Sequence, residues 1–135
     1  MKKGIGEENE FCLQIVSKTK EYIADKEEKD LVETAVRTVL KGLNDKSDVS
    51  EELYDYLNCF TLFQENAADE RTIAAWDAII DAVAIVCKNA YIEADAEYFP
   101  EPIELVDEDT FDHMIKSFLS VSESNLEISI RGEKN

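Results

Sequence analysis

Apolar residues recur at three- and four-residue intervals through most of the chain, the spacing of amphipathic helices rather than of alternating strands. Five helices are predicted. The first covers residues 7–24, with Phe11, Ile15, Thr19, Tyr22 and Ile23 along its inner face. Asp25, with Glu28 three residues later, forms a capping box for the second. That helix has Val32, Val36, Val39, Leu40 and Leu43 as its inner stripe, and Gly42 is expected to stop it. Asp48 or Ser50 caps the third, whose Leu53, Tyr56, Leu57, Phe60 and Phe63 share a narrow arc. Tyr54 lies off that arc beside Asp55, on the side that should look at water. The fourth helix, roughly 69–91 with Asn66 as its cap, carries Ile73, Trp76, Ile79, Ile80, Val83, Val86, Cys87 and Ala90 over nearly its whole circumference. Its polar stripe is limited to Glu70, Asp77, Asp81 and Lys88, so it should be packed on several sides.

Residues 92–106 break the helical pattern. They contain Tyr98-Phe99-Pro100-Glu101-Pro102, where the prolines forbid a continuous helix, and the connection is longer than those usual between bundled helices. Asp107 caps a fifth helix reaching about residue 121, with Phe111, Met114, Ile115 and Phe118 inward. Leu126, Ile128 and Ile130 then alternate with Glu127 and Ser129, which predicts a short strand or extended tail. The expected fold is all-α: one domain over residues 1–135, a bundle of about five helices at residues 7–121. A long acidic loop precedes the last helix, and a short extended C-terminal tail occupies residues 122–135. No internal repeat or low-complexity segment interrupts it.

Composition narrows the function more than the fold. With 135 residues, 44% of them hydrophobic, the chain has apolar material for one core. Fourteen Lys and Arg stand against 31 Asp and Glu, a net charge of -17. Such a surface repels phosphates, so a nucleic-acid partner and an anionic membrane are both disfavoured. The most apolar segment, residues 73–87, contains Asp77 and Asp81 and falls short of the roughly 18 apolar residues of a membrane span. Met1-Lys2-Lys3 is followed by Gly4-Ile5-Gly6-Glu7-Glu8 where a signal peptide needs an apolar run. A cytoplasmic protein is expected. Cys12, Cys59 and Cys87 are odd in number and widely spaced, which suggests neither a disulfide framework nor a zinc ribbon.

The candidate chemistry is thin. Asp77 and Asp81 stand four residues apart on one helical face, a spacing open to a metal or to acid and base roles, but no further ligand type accompanies them. The simpler reading is a solvated acidic stripe with Lys88 two turns along, whose use, if any, is as a secondary contact for a partner. His113, the single histidine, lies nearly opposite Phe111, Ile115 and Phe118 and reads as an ordinary surface residue rather than a catalytic base. Cys87 reads as a small buried hydrophobe. The acid clusters at residues 44–48 and 107–109 lack the glycine that a calcium-binding EF-hand loop requires at its sixth position. No catalytic residue, metal site or cofactor is predicted, and the chain is not expected to be an enzyme.

A stronger signal is the distribution of charge. From Asn89 through Met114 there are nine acids and no Lys or Arg, and between Lys46 and Arg71 there are seven acids and no base. Charge of one sign steers a basic partner into contact at high rate, and interleaved aromatics supply anchors. The expected partner-binding residues are Tyr54 and Asp55 on the third helix, with Glu93, Glu97, Tyr98, Glu101 and Glu104 in the long loop. The competing reading is that Tyr98 and Phe99 pin the loop to the bundle while the acids confer solubility.

The segment Trp76-Asp77-Ala78-Ile79-Ile80-Asp81-Ala82-Val83, continued by Cys87, Ala90-Tyr91 and Tyr98-Phe99-Pro100-Glu101-Pro102-Ile103-Glu104, resembles a family of immunity proteins of bacterial polymorphic toxin systems, the sixth numbered one. The resemblance covers about a third of the chain, and residues 1–65 show nothing assignable to the family. It implies an all-helical cytoplasmic protein without enzymatic activity. Such a protein binds and neutralises the toxic C-terminal domain of a cognate secreted effector, in settings that include contact-dependent inhibition. An acidic surface suits a toxin domain with a basic cleft. The alternative from another class is an acidic helical adaptor without a toxin partner, and a carboxylate enzyme comes third.

Overall fold

The computed structural model describes the backbone of residues 4–134 and the side chains of residues 4–121. The elements are α1 (Ile5–Thr19), a 3-10 turn (Lys20–Tyr22), α2 (Lys26–Asp45), α3 (Ser50–Asn66), α4 (Glu70–Glu93), α5 (Glu101–Glu104) and α6 (Glu108–Lys134). The fold is all-α, and among the described residues there is no strand. α4 is the central member. It packs against α1, α3 and α6 at once, while α2 lies outermost against α1, α3 and the 3-10 turn.

The helix starts follow local hydrogen-bond chemistry. Asp25 accepts the Glu28 N–H at 3.0 Å and Asp107 accepts the Asp109 N–H at 2.9 Å, each meeting a donor that the first turn leaves without a partner. α4 is capped by Asp69, which takes both the N–H and the hydroxyl of Thr72, whereas Asn66 is the last residue of α3. The predicted stop at Gly42 is also displaced. α2 runs on to Asp45 and ends where Lys46 adopts the left-handed conformation, φ 58°, with its N–H and that of Ser47 donated to the Gly42 carbonyl. Gly42 instead makes room: a Cβ there would stand 2.5 Å from Val49 Cγ1, in the chain that leads into α3.

The core is centred on Trp76, fully buried between Phe60 and Phe63, with ring centroids 5.3 and 5.6 Å away. Asn89 ties α4 to α1 from within, donating to Asn9 Oδ1 and Glu8 Oε1 at 2.9 Å each. The inner face of α1 is Asn9, Cys12, Leu13, Ile15, Val16 and Thr19, and Phe11 sits at its margin, stacked on Phe111 of α6 at 5.6 Å. On α2 the buried positions are Val32, Ala35, Val39 and Gly42, so Leu40 and Leu43 face outward, contrary to the predicted stripe. Helical spacing defines an apolar arc, but which part of it a neighbour covers is decided by tertiary placement.

Two further expectations are corrected. The long loop contains the one-turn α5, which Pro100 and Pro102 permit because proline is tolerated in a helix's first turn, where no intrahelical N–H is needed. The backbone of residues 122–134 continues α6 rather than forming an extended tail. A strand needs a second edge to pair with, and the other described elements are helices; a helix satisfies its own backbone.

Candidate partner-binding surface

The outer face of α3 and the segment around α5 meet in space. Tyr54 is half-buried rather than turned fully to water, and with Ile80, Asp81, Pro102, Leu105 and Thr110 it lines an open groove of about 450 Å³. Lys88 helps hold this place: its ammonium donates to the Val106 carbonyl, fixing the turn between α5 and α6. Asp55, Glu101 and Glu104 are exposed. Tyr98 is 84% exposed, the most exposed large apolar side chain here, although its neighbour Phe99 packs on Tyr91 at 5.8 Å. The two aromatics of the loop therefore divide the roles that sequence assigned to them jointly. Phe99 pins the loop, and Tyr98 is left outside.

Glu93 and Glu97 are also exposed, but Glu93 does not join this groove. It lines a different one with Val39, Lys46, Asp48, Val49 and Val86, beside the end of α2. The left-handed Asp95, φ 57°, closes α4 and turns the chain, with Ala96 N–H donated to the Tyr91 carbonyl at 3.1 Å.

Sequence reasoning missed two apolar residues of the surface. Leu105 is 70% exposed, at the end of α5, and Leu62 is 58% exposed on α3. Leu62 was in reach, since it stands seven residues after Asp55 and four after Asn58, on one helical face. Leu105 was not, because its orientation follows from the turn after α5.

The supposedly solvated stripe of α4 is engaged inside the protein. Gln64 of α3 donates to Asp77 at 2.6 Å, and the Asp81 carboxylate accepts from His113 Nδ1 of α6 at 2.5 Å. His113 is at the surface as predicted, its side chain 57% exposed, but it is not free of partners; Asp81 is 18% exposed. Burial pushes the Asp81 carboxyl above its usual range, against the opposing pull of the hydrogen bond and charge of His113. The same hydrogen bond raises the His113 imidazole, as its charged form is the better donor. Among the described residues no cluster of His, Cys, Asp and Glu is arranged to hold a metal ion.

A family model described as Immunity protein Imm6 matches residues 7–121. The chain belongs to the Imm6 immunity protein family. The match spans α1 through about the first half of α6, including residues 7–65, where sequence alone offered no sign of membership. No curated protein and no solved structure matches the chain. The description of Imm6 is that of an immunity protein rather than of an enzyme. Among the described residues no helix is long and apolar enough to cross a membrane.

Proposed function

We propose that this Imm6 protein neutralises the toxic C-terminal domain of a cognate secreted effector by stoichiometric binding in the cytoplasm, with no catalytic step, and that a basic surface on the toxin is steered onto its acidic face. The observation that carries this reading is the convergence of Tyr54 of α3 with Pro102 and Leu105 on one open groove, while Asp55, Glu101 and Glu104 are exposed on the same two helices. Tyr98 and Leu62 supply exposed apolar area, and Asp55, Glu97, Glu101 and Glu104 supply the charge. Glu93 contributes from a neighbouring site to the long-range field, and Asp77 and Asp81 have secondary roles because their carboxylates already have partners. Anchors of this kind govern dissociation, whereas peripheral charges govern the rate of encounter.

The test pairs the purified protein with the toxin domain encoded beside its gene and measures both rate constants against salt. Tyr98→Ala or Tyr54→Ala should speed dissociation about 30-fold if each is an anchor of roughly 2 kcal/mol. Glu97→Lys with Glu101→Lys should slow association, and the parental association rate should fall as salt rises. Parental kinetics in all these variants would remove this surface from the toxin interface. Absence of any complex would favour an adaptor role instead.

A further inference from the structure

Across the turn that joins α5 to α6, next to the proposed toxin groove, a second pocket of about 490 Å³ opens between α1, the end of α4 and the start of α6. Val106 lines both. Four acids line the second pocket, Glu8, Asp107, Glu108 and Asp112, and among the described residues none of them has an ion-pair partner. Acids alone would mark a solvated face. The deciding group is Asn89, which is 6% exposed and lines the same pocket. Both hydrogens of its amide are used, one on Glu8 Oε1 and one on Asn9 Oδ1, and a carboxylate only accepts, which fixes the orientation of the amide. Asn89 Oδ1 is left over. Among the described residues no donor meets this oxygen, although a buried acceptor ordinarily has a partner.

We infer that this pocket receives one lysine side chain of the toxin domain, an assignment that rests on the toxin-binding reading above. Its polar groups select a cation. The amide oxygen of Asn89 and the carboxylates accept hydrogen bonds, and the ammonium of Lys88 is already engaged by the Val106 carbonyl. A metal ion is a poor occupant, because among the described residues the acids are not gathered into a cluster that could hold one. Ile85, Ile92 and Phe111 give the walls apolar surface, which suits a long alkyl stem. Acceptors contributed by α1, α4 and α6 match the rotatable donors of an ammonium, whereas the planar fork of arginine is best met by a single carboxylate. The helix ends leave the sign unchanged: the partial positive charge at the start of α6 is offset by the partial negative charge at the end of α4. Because Val106 borders both, one toxin surface can fill the groove and the pocket together.

The test uses the toxin domain encoded beside the gene. Glu108→Gln with Asp112→Asn, both exposed positions, should speed dissociation about tenfold or more at unchanged helicity, since a cation held away from water loses its counter-charges. In the parental complex, a carbodiimide that couples carboxylates to amines in direct contact should join one toxin lysine to Glu8, Glu108 or Asp112, as peptide mass mapping would show. Replacing that lysine by methionine should give a similar loss, with little added when it is combined with the double variant. Parental dissociation in the double variant would overturn the assignment and, with Tyr54→Ala still speeding release, would leave the groove of α3 and α5 standing. Faster dissociation without a coupled lysine would give the pocket to an arginine and overturn the assignment equally. If the parental protein forms no complex, this assignment and the toxin-binding reading fall together.

Discussion

Gly42 sits inside a 20-residue helix, where replacement by alanine ordinarily stabilises by about 1 kcal/mol through helix propensity. Here the opposite is expected. The new Cβ would lie 2.5 Å from Val49 Cγ1, 3.2 Å from Cγ2 and 3.4 Å from Cβ, against a comfortable separation of about 3.5 to 4.0 Å between carbons. Rotation of the valine exchanges one methyl for the other, and a β-branched side chain has few rotamers to spare. Retreat of the backbone is resisted as well, because the Ser47 N–H is bonded to the Gly42 carbonyl at 2.9 Å, two residues before Val49. Overpacking of this kind costs about 1 to 3 kcal/mol, so Gly42→Ala should be net destabilising by about 1 kcal/mol. Val49→Ala alone loses buried methyl groups and should cost about 1 to 2 kcal/mol. In the double variant the clash is gone and the propensity gain returns, so the two changes should couple favourably by at least 1 kcal/mol. Urea unfolding followed by far-ultraviolet circular dichroism supplies all four stabilities. Stabilisation by Gly42→Ala, with effects that simply add, would refute the close approach of α2 to the start of α3.

Both groups of the Asp81–His113 pair have native pKa values raised above their ordinary ones, so each contributes stability at low pH that is lost as pH rises through its native value. Asp81→Asn should therefore flatten the fall in melting temperature between about pH 6 and 8, by less than the equivalent of roughly 1 kcal/mol given the exposure of the imidazole; an unchanged slope would count against the pair. The Cys87 thiol is buried and donates to the Ser50 carbonyl at 3.3 Å, and burial pushes it up to about 12. It should resist alkylation at pH 8 in the native protein and react on unfolding, as peptide mass mapping would reveal. Lys46→Gly should stabilise by about 0.5 to 1 kcal/mol in the same urea assay, since the position is left-handed.

Features written in contiguous residues were legible in the sequence. Asp25 and Asp107 cap the helices assigned to them because the cap and its target N–H are two or three residues apart. The central place of α4 follows from apolar residues on nearly all its sides. What was not legible depends on how helices distant in the chain are set beside one another. His113 and Asp81 are 32 residues apart and meet only because α6 lies along α4. Leu40 and Leu43 satisfy the helical period as well as Val32 and Val39 do, and the two pairs differ in that no described element covers the leucines. In the candidate site, the exposure of Tyr98 among acids is consistent with its sequence, whereas the proximity of Tyr54 to Leu105 depends on α5, a one-turn helix in a segment read as loop because its prolines forbid a continuous helix.

The arrangement of three helices around α4 also imposes an order on biosynthesis. A ribosome releases α1 and α3 before the helix they pack against exists, and Glu93, its last residue, is added when about two-thirds of these 135 residues have been joined. At about 5 to 20 residues per second, Phe60 and Val16 wait seconds for Trp76 and Ile79 to arrive. A nascent chain halted before Glu70 lacks the helix on which α1 and α3 both pack, so the surface proposed for toxin binding can form only after α4 has been made.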